Sequence, residues 1–212
     1  MTLNAQVTEL ADRIRAERTN GNQFCVAIAG APGSGKSTLA TETARRLIQQ
    51  RTPTVVVPMD GFHLDNPVLD AMKLSHRKGA PDTFDSAGFM RLINTLRGGA
   101  NVYFPRFDRT LDLSVAGAVE VSVSTPVVIF EGNYLMYDAP IWRDLVPMWD
   151  LTVRLDVPMA ELRARLIQRW LSQNLGPAAA IRRAETNDLA NAQSVIDLAL
   201  PCDLTLTIHP EV

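Results

Sequence analysis

The sequence predicts an α/β fold in which helices cover both faces of a mainly parallel, five-stranded core sheet, in three layers (α/β/α). Short apolar runs alternate with helical patterns along the chain, which is typical of parallel strands joined by crossover helices. A glycine-rich turn lies between the first run and the helical pattern that follows it. The 212 residues suffice for one well-buried domain, so we expect a single domain over residues 1–212.

Each predicted element follows from a local pattern. Apolar or β-branched runs predict the strands Phe24–Ala29, Thr54–Val57, Val127–Phe130, Leu151–Leu155 and Leu204–Ile208. Apolar residues at helical spacing predict the helices Thr8–Arg18, Leu39–Gln50, Ser86–Leu96, Pro158–Leu171 and Pro177–Leu198. Residues 60–114 are rich in Gly, Pro, Asp and basic residues and show only one clear helix, so we expect them to shape a site and not to build the sheet.

Charge and composition exclude several classes of function. A formal net charge of −2 gives no global field for nucleic acid or an anionic membrane, and we predict neither as a partner. The N-terminus lacks the basic start and apolar core of a signal peptide, and no apolar run approaches a membrane-spanning length. Cys25 and Cys202 lie in apolar segments and make no disulfide framework. We therefore expect a soluble, cytoplasmic protein.

A phosphate-binding motif follows the first predicted strand. The run GAPGSGKS at residues 30–37 fits the P-loop pattern G-x-x-x-x-G-K-[ST] without a mismatch, which indicates a P-loop NTPase fold. Glycines let the backbone curl around a phosphate, and the helix start directs N–H groups at the anion. Lys36 supplies a positive charge for the β- and γ-phosphates, and Ser37 offers a hydroxyl to Mg²⁺. The predicted ATP-binding residues are Gly30, Ala31, Pro32, Gly33, Ser34, Gly35, Lys36, Ser37 and Thr38.

Two carboxylates follow other predicted strands. Glu131 ends the run Val127–Phe130, and Asp60 comes just after the run Thr54–Val57. Because the carboxyl ends of parallel strands share one crevice, both are expected beside the P-loop. We predict that Glu131, with Ser37, holds Mg²⁺, and that Asp60 accepts or orients the proton of an attacking hydroxyl. The alternatives are a turn or helix cap for Glu131 and a turn-forming aspartate for Asp60.

Cations and aromatic rings are mixed within residues 60–115, a combination that suits a polar acceptor lying against aromatic faces. Each of them is also explained as a solvated surface charge or as core filling. With the two carboxylates included, the candidate substrate-binding residues are Asp60, His63, Lys78, Tyr103, Arg106, Arg109 and Glu131.

Several further motifs carry a family resemblance. They are PMDGFH at 58–63, RKGAPDTFD at 77–85, YFPRFDR at 103–109, EGNY at 131–134 and Arg169-Trp170. Together with the P-loop, they resemble the phosphoribulokinase, uridine kinase and pantothenate kinase group of small-molecule kinases, from about Phe24 to Ile208. Within that group the chain is most similar to bacterial proteins labelled fructose transport system kinases.

The resemblance implies roles for particular positions. Asp60 stands at the position of the catalytic base, and a lid helix carries the arginines that close over the γ-phosphate. Arg165 and Arg169 lie four residues apart on one face of the predicted helix, so we expect them to act with Lys36 in catalysis. The implied lid covers about residues 158–176 and the substrate-binding insertion about residues 60–115. Residues 187–191 and 208–210 fall where family members often form the adenine-facing wall, and dimers are common in the family, which suggests a homodimer.

The predicted function is ATP-dependent phosphorylation of a hydroxyl group on a small molecule, with a sugar as the first acceptor. Pantothenate or a nucleoside is the alternative, although uridine kinases carry a longer basic lid than this chain. A P-loop switch protein without an acceptor is the alternative of another class. GTPases of that kind usually show an N-K-x-D tetrad, and the sequence contains none.

Overall fold

A computed structural model describes residues 1–19 and 22–207. Five strands form one parallel sheet: β1 (Phe24–Gly30), β2 (Thr54–Pro58), β5 (Val127–Gly132), β6 (Leu151–Asp156) and β7 (Leu204–Thr207). Their order across the sheet is β2-β5-β1-β6-β7. The predicted α/β class, parallel sheet and strand positions are confirmed, apart from Ile208, which lies outside the described residues.

The helices cover both faces of the sheet. They are α1 (Leu3–Glu17), α2 (Lys36–Gln49), α3 (Asn66–Ala71), α4 (Ser86–Arg97), α5 (Met159–Ser172), α6 (Pro177–Arg183) and α7 (Leu189–Asp197). In β1, Phe24, Val26 and Ile28 pack with α1 and α2 on one face, whereas Cys25 and Ala27 pack with α4, α5 and α7 on the other. Alternate side chains of this strand therefore serve two separate cores, as expected for a central strand whose residues are all buried.

A β-hairpin lies outside the main sheet. Strands β3 (Val102–Asp108) and β4 (Leu113–Val121) pair antiparallel, so the expected site-shaping segment contains two strands that the sequence did not indicate, although they do not join the main sheet. The hairpin packs directly on the loop after β2. A Cβ atom on Gly61 would lie 2.1 Å from the carbonyl oxygen of Pro105, so only glycine permits this approach. The hairpin is thereby held beside Asp60.

The predicted helix Pro177–Leu198 is divided into three parts. A π-helical turn, Ala184–Asp188, joins α6 to α7. Such turns rotate the residues that follow them relative to a regular helix, and they are frequent at functional sites. Among the described residues, no helix is both long and apolar enough to cross a lipid bilayer.

Candidate active site

The carboxyl ends of three adjacent strands meet at one edge of the sheet. The P-loop follows β1, Glu131 lies near the end of β5, and Asp60 follows β2. Strand β5 lies between the other two, and Glu131 is in register with Ile28 of β1 and Pro58 of β2. Adjacent parallel strands thus bring a phosphate loop and two carboxylates together.

The P-loop has the backbone that anion binding requires. Gly33 has a φ of +80° and Gly35 a φ of +94°, values that residues with a side chain rarely adopt. Helix α2 begins at Lys36, and no side chain caps its first N–H groups. These N–H groups and the positive end of the helix dipole are therefore available to a phosphate.

Lys36 and Glu131 are buried beside this loop and form a polar group with Ser37, which is exposed. The Ser37 hydroxyl donates a hydrogen bond of 2.9 Å to Glu131 Oε1, and Lys36 Nζ lies 3.5 Å from the carbonyl oxygen of Ala31. Burial raises the pKa of Glu131, and the positive charge of Lys36 opposes that rise. Burial also lowers the pKa of Lys36, against the attraction of Glu131 and Asp60. An anionic, metal-bound triphosphate complements this group.

The donor set fits Mg²⁺ bound together with a nucleotide. Within residues 1–19 and 22–207, no cluster of three or more His, Cys, Asp or Glu side chains is arranged to hold a metal alone. Mg²⁺ is usually held by one or two protein oxygens, with phosphates and waters completing its octahedron. Ser37 Oγ and the Glu131 carboxylate are the protein oxygens that would take this role.

Asp60 is held by two groups of the insertion. Arg109, just beyond β3, donates a hydrogen bond of 3.0 Å to Asp60 Oδ2. The His63 ring nitrogen Nδ1 lies 2.8 Å from the Asp60 carbonyl oxygen, and the ring packs between Phe84 and Phe107. Burial lowers the pKa of His63, which favours the neutral ring, and the carbonyl acceptor beside Nδ1 favours the tautomer with its proton on that nitrogen. The other ring nitrogen, Nε2, is then a hydrogen-bond acceptor.

Lys78 connects the hairpin to the rest of the insertion through hydrogen bonds and an ion pair. Its Nζ donates hydrogen bonds of 2.7 Å to Asn66 Oδ1 and 3.0 Å to the Asp112 carbonyl, and it forms an ion pair with the Asp112 carboxylate. It also lies 5.1 Å from the centre of the Phe107 ring. These contacts order the wall opposite the P-loop.

Arg165 of α5 reaches the P-loop from the side of the predicted lid. Its NH1 group donates a hydrogen bond of 3.3 Å to the carbonyl oxygen of Ser34, and its Nε binds Glu161 at 2.7 Å. A cation is thus placed over the loop, where the charge of a γ-phosphate is expected to develop.

Arg169 is held one turn further along α5. It donates a hydrogen bond of 3.0 Å to Asp188 Oδ2, the oxygen that also accepts a 2.6 Å hydrogen bond from the Trp170 indole. Arg183 lies 5.3 Å from the Trp170 ring centre. Asp188 belongs to the π-helical turn, so this turn holds Arg169 of the predicted lid in place.

A cavity of about 450 Å³ connects these groups. Most of the predicted site residues line it: Pro32, Gly33, Gly35, Lys36, Ser37, Thr38, Asp60, His63, Lys78, Arg109, Arg165 and Arg169. Gly30, Ala31 and Ser34 belong to the same loop but do not line the cavity. A smaller cavity of about 260 Å³ shares Ser37, Asp60 and Arg109 with it and adds Arg106 and Glu131.

Tyr103 stands apart from the other predicted substrate-binding residues. Its side chain is 57% exposed, and its hydroxyl lies 3.5 Å from Glu120 on the neighbouring strand. It lines a third cavity behind the His63 ring, with Gly61 and Arg91. The structure therefore does not bring Tyr103 to the cavity that contains Lys36.

The cavity also contains residues that sequence reasoning did not assign to the site. They are Gly79, Phe107, Asp112, Asn133, Trp170 and Arg183. Asp188 and Asn191, for which the resemblance implied an adenine-facing wall, line this cavity as well. The proximity of Asn191 to Gly79 could not be predicted, because it depends on the π-helical turn and on the course of the insertion. Of the residues expected at an adenine-facing wall, 208–210 lie outside the described residues.

The fold and this site define a P-loop kinase that uses ATP and acts on a small molecule. The sequence profile of the Phosphoribulokinase / Uridine kinase family matches residues 25–173. The chain belongs to the phosphoribulokinase/uridine kinase family, which confirms the resemblance and the prediction of a kinase.

Individual relatives agree with this membership. A crystal structure from Silicibacter sp. TM1040, provisionally titled a fructose transport system kinase, is 50% identical, with a TM-score of 0.90 over 97% of this chain and 99% of that one. A Schizosaccharomyces pombe protein provisionally named a uridine kinase is 32% identical over 93% of this chain and 88% of its own length. A pantothenate kinase of Mycolicibacterium vanbaalenii is 30% identical over 72% of this chain, which spans half of that protein.

Proposed function

We propose that this chain transfers the γ-phosphoryl group of Mg-ATP to a hydroxyl group of a small, sugar-like polyol. The observation that carries the proposal is the position of the Asp60 carboxylate, which faces the same cavity as Lys36 and is oriented by Arg109. The provisional title of the 50% identical Silicibacter protein supports a sugar as the acceptor.

The proposed mechanism assigns one task to each group. The P-loop N–H groups and Lys36 bind the β- and γ-phosphates, and Ser37 and Glu131 hold Mg²⁺, which neutralises phosphate charge when it is bound. Asp60 orients the acceptor hydroxyl and takes its proton as the new P–O bond forms and the bond to ADP breaks. Arg165 and Arg169 stabilise the charge on the transferred group.

The proposal also assigns two segments of the chain. Residues 60–115, which include the hairpin, bind the acceptor, and residues 158–176 act as the lid. Lid closure would exclude water, and this matters because water competes with the acceptor hydroxyl for the γ-phosphate. Pantothenate and nucleosides remain the alternative acceptors, since relatives bear those names at about 30% identity.

An acceptor screen tests the proposed function. ATP consumption is measured with sugars, sugar alcohols, pantothenate and nucleosides, and the Lys36→Ala variant serves as the blank. We expect acceptor-dependent ADP formation with at least one sugar or sugar alcohol, together with a phosphorylated product detected by mass spectrometry. If only pantothenate or a nucleoside supported turnover, that compound would replace the polyol as the proposed acceptor. If none of these acceptors stimulated ATP hydrolysis, the proposal that the chain phosphorylates a compound of these classes would be contradicted.

Glu131 gives a separate prediction about the metal. Replacing it with glutamine removes the negative charge but keeps the shape and the hydrogen bond with Ser37. We expect the Mg²⁺ concentration for half-maximal ATP turnover to rise about tenfold or more, because loss of a group that holds a metal weakens its binding to this extent. The measurement is a Mg²⁺ titration at saturating ATP, with Glu120→Gln on the exposed face of β4 as the matched control. An unchanged Mg²⁺ requirement would remove Glu131 from the metal site.

A further inference from the structure

Two uncharged amide side chains face the cavity without a hydrogen-bond partner. Asn191 on α7 is only 8% exposed, and its side chain makes no hydrogen bond with any described residue. Asn133, directly after β5, has an Oδ1 atom that is fully buried and unpaired, so its Nδ2 group is the part of this amide that a molecule in the cavity can reach. Buried polar groups are nearly always paired in folded proteins, and the protein supplies no partner to the Asn191 amide, so a polar molecule in the cavity can provide one.

The surroundings of Asn191 leave it no protein partner. Its Nδ2 lies beside Gly79, 3.8 Å from where a Cβ atom of that residue would stand. The Gly79 carbonyl accepts a hydrogen bond of 2.7 Å from the Tyr134 hydroxyl, and the Lys78 carbonyl accepts one of 2.9 Å from Asn187. Each of these two backbone acceptors is bonded to another side chain and not to Asn191. The amide also lines the cavity, where a bound molecule can be its partner.

The position and chemistry of the two amides favour the acceptor, and not the nucleotide, as their ligand. Asn191 adjoins the Lys78-Gly79 segment, which belongs to the same insertion as Asp60 and His63. Phosphates are bound by cations and N–H groups, which the P-loop, Lys36 and Arg165 supply. An amide both donates and accepts without carrying charge, and so does a hydroxyl group. The pair therefore complements an uncharged polyhydroxy compound.

We propose that Asn133 and Asn191 bind hydroxyl groups of the acceptor other than the one that is phosphorylated, and thereby select a polyol. This inference rests on the proposed kinase function and extends it to the residues that determine specificity. It also assigns Asn191 to the acceptor and not to the adenine. Because the whole cavity is about 450 Å³ and must also hold the triphosphate, the acceptor is a small one.

The test compares Asn191→Leu with wild type and with Gln193→Leu, an exposed change on the same helix. Fructose and its singly deoxygenated analogues are the probes. We expect Asn191→Leu to raise KM for fructose about tenfold or more, as for the loss of a hydrogen bond in a desolvated site, while KM for ATP changes less than about twofold. One deoxy analogue should lose about tenfold in kcat/KM with wild type and almost nothing with Asn191→Leu. The melting temperature of the free variant should not fall, because the amide has no partner to lose.

A second measurement keeps this inference separate from the proposed function. Thermal stabilisation by fructose is recorded with a hydrolysis-resistant ATP analogue bound, in wild type and in the variants Asn133→Ala and Asn191→Leu. Stabilisation of wild type alone, without turnover, would support the amide site while contradicting the kinase reaction on this sugar. Turnover that both variants retain unchanged would overturn the amide site and leave the kinase intact. A raised KM for ATP in Asn191→Leu would also overturn it, since Asn191 would then face the nucleotide. If wild type shows neither turnover nor stabilisation with fructose, both proposals for this sugar fail.

Discussion

Replacing Lys36 with alanine is expected to lower kcat for phosphoryl transfer about a thousandfold, or about 4 kcal/mol in activation free energy. Burial beside the P-loop lowers the pKa of Lys36, whereas Glu131 and Asp60 favour its charged ammonium, which lies 3.5 Å from the Ala31 carbonyl. It can therefore meet the charge that develops on the γ-phosphate without first being desolvated. ADP affinity should fall by much less, because ADP lacks that phosphate.

Steady-state turnover and calorimetric ADP binding together check this expectation. Arg45→Ala is the matched control, because Arg45 lies on the same helix in an exposed ion pair with Glu42. That variant should keep the wild-type kcat, since exposed pairs contribute little. Near-normal turnover in Lys36→Ala would mean that the loop binds phosphate through its N–H groups alone.

The strand ends could be located from the sequence because the evidence for them is local. A buried strand followed by the P-loop run is a contiguous pattern, and the rule that parallel strands end at one edge then places Asp60 and Glu131. The observed strand order, with β5 between β1 and β2, satisfies that rule for all three elements. Because the local pattern and the topology agree here, the sequence alone was almost enough to locate Asp60 and Glu131 beside the P-loop.

The hairpin was missed because its strands lack a clear alternating pattern. Pro105 interrupts β3, and the register of the pair shifts between Phe104 and Arg106. Strand β4 is mostly exposed and contains small residues, including Gly117 at a φ of +65°. Strand propensity reflects packing against neighbours, so a strand that lies on an outlying hairpin gives only a weak signal.

The contacts of the predicted lid also depend on tertiary structure. Asp188 accepts hydrogen bonds from Arg169 and Trp170, which lie 19 and 18 residues away in sequence. No spacing rule connects residues across two helices and a π-helical turn. The predicted arginines could therefore be named from their helix, whereas the carboxylate that holds Arg169 in place could not.

Replacing Asp60 with asparagine is expected to slow the chemical step about a hundred- to a thousandfold, within the range found for the loss of a general acid or base. Asparagine has nearly the same shape, so its side-chain oxygen can keep the contact with Arg109 that is 3.0 Å in the native protein. The neutral amide cannot take the proton of the acceptor hydroxyl, whereas ATP binding at the P-loop should be unaffected. Rapid-quench measurement of product formed in a single turnover isolates this step from product release.

Asp138→Asn is the matched control for this experiment. Asp138 also pairs with an arginine, Arg143, at 3.0 Å, but both side chains are about half exposed. We expect the control to react at the wild-type rate, because loss of such a surface pair changes little. If Asp60→Asn also reacted within about threefold of wild type, positioning by the surrounding groups would account for the rate. The carboxylate at the end of β2 would then be a structural partner of Arg109, and the base would have to be sought among the other polar groups of the cavity, beginning with His63 Nε2.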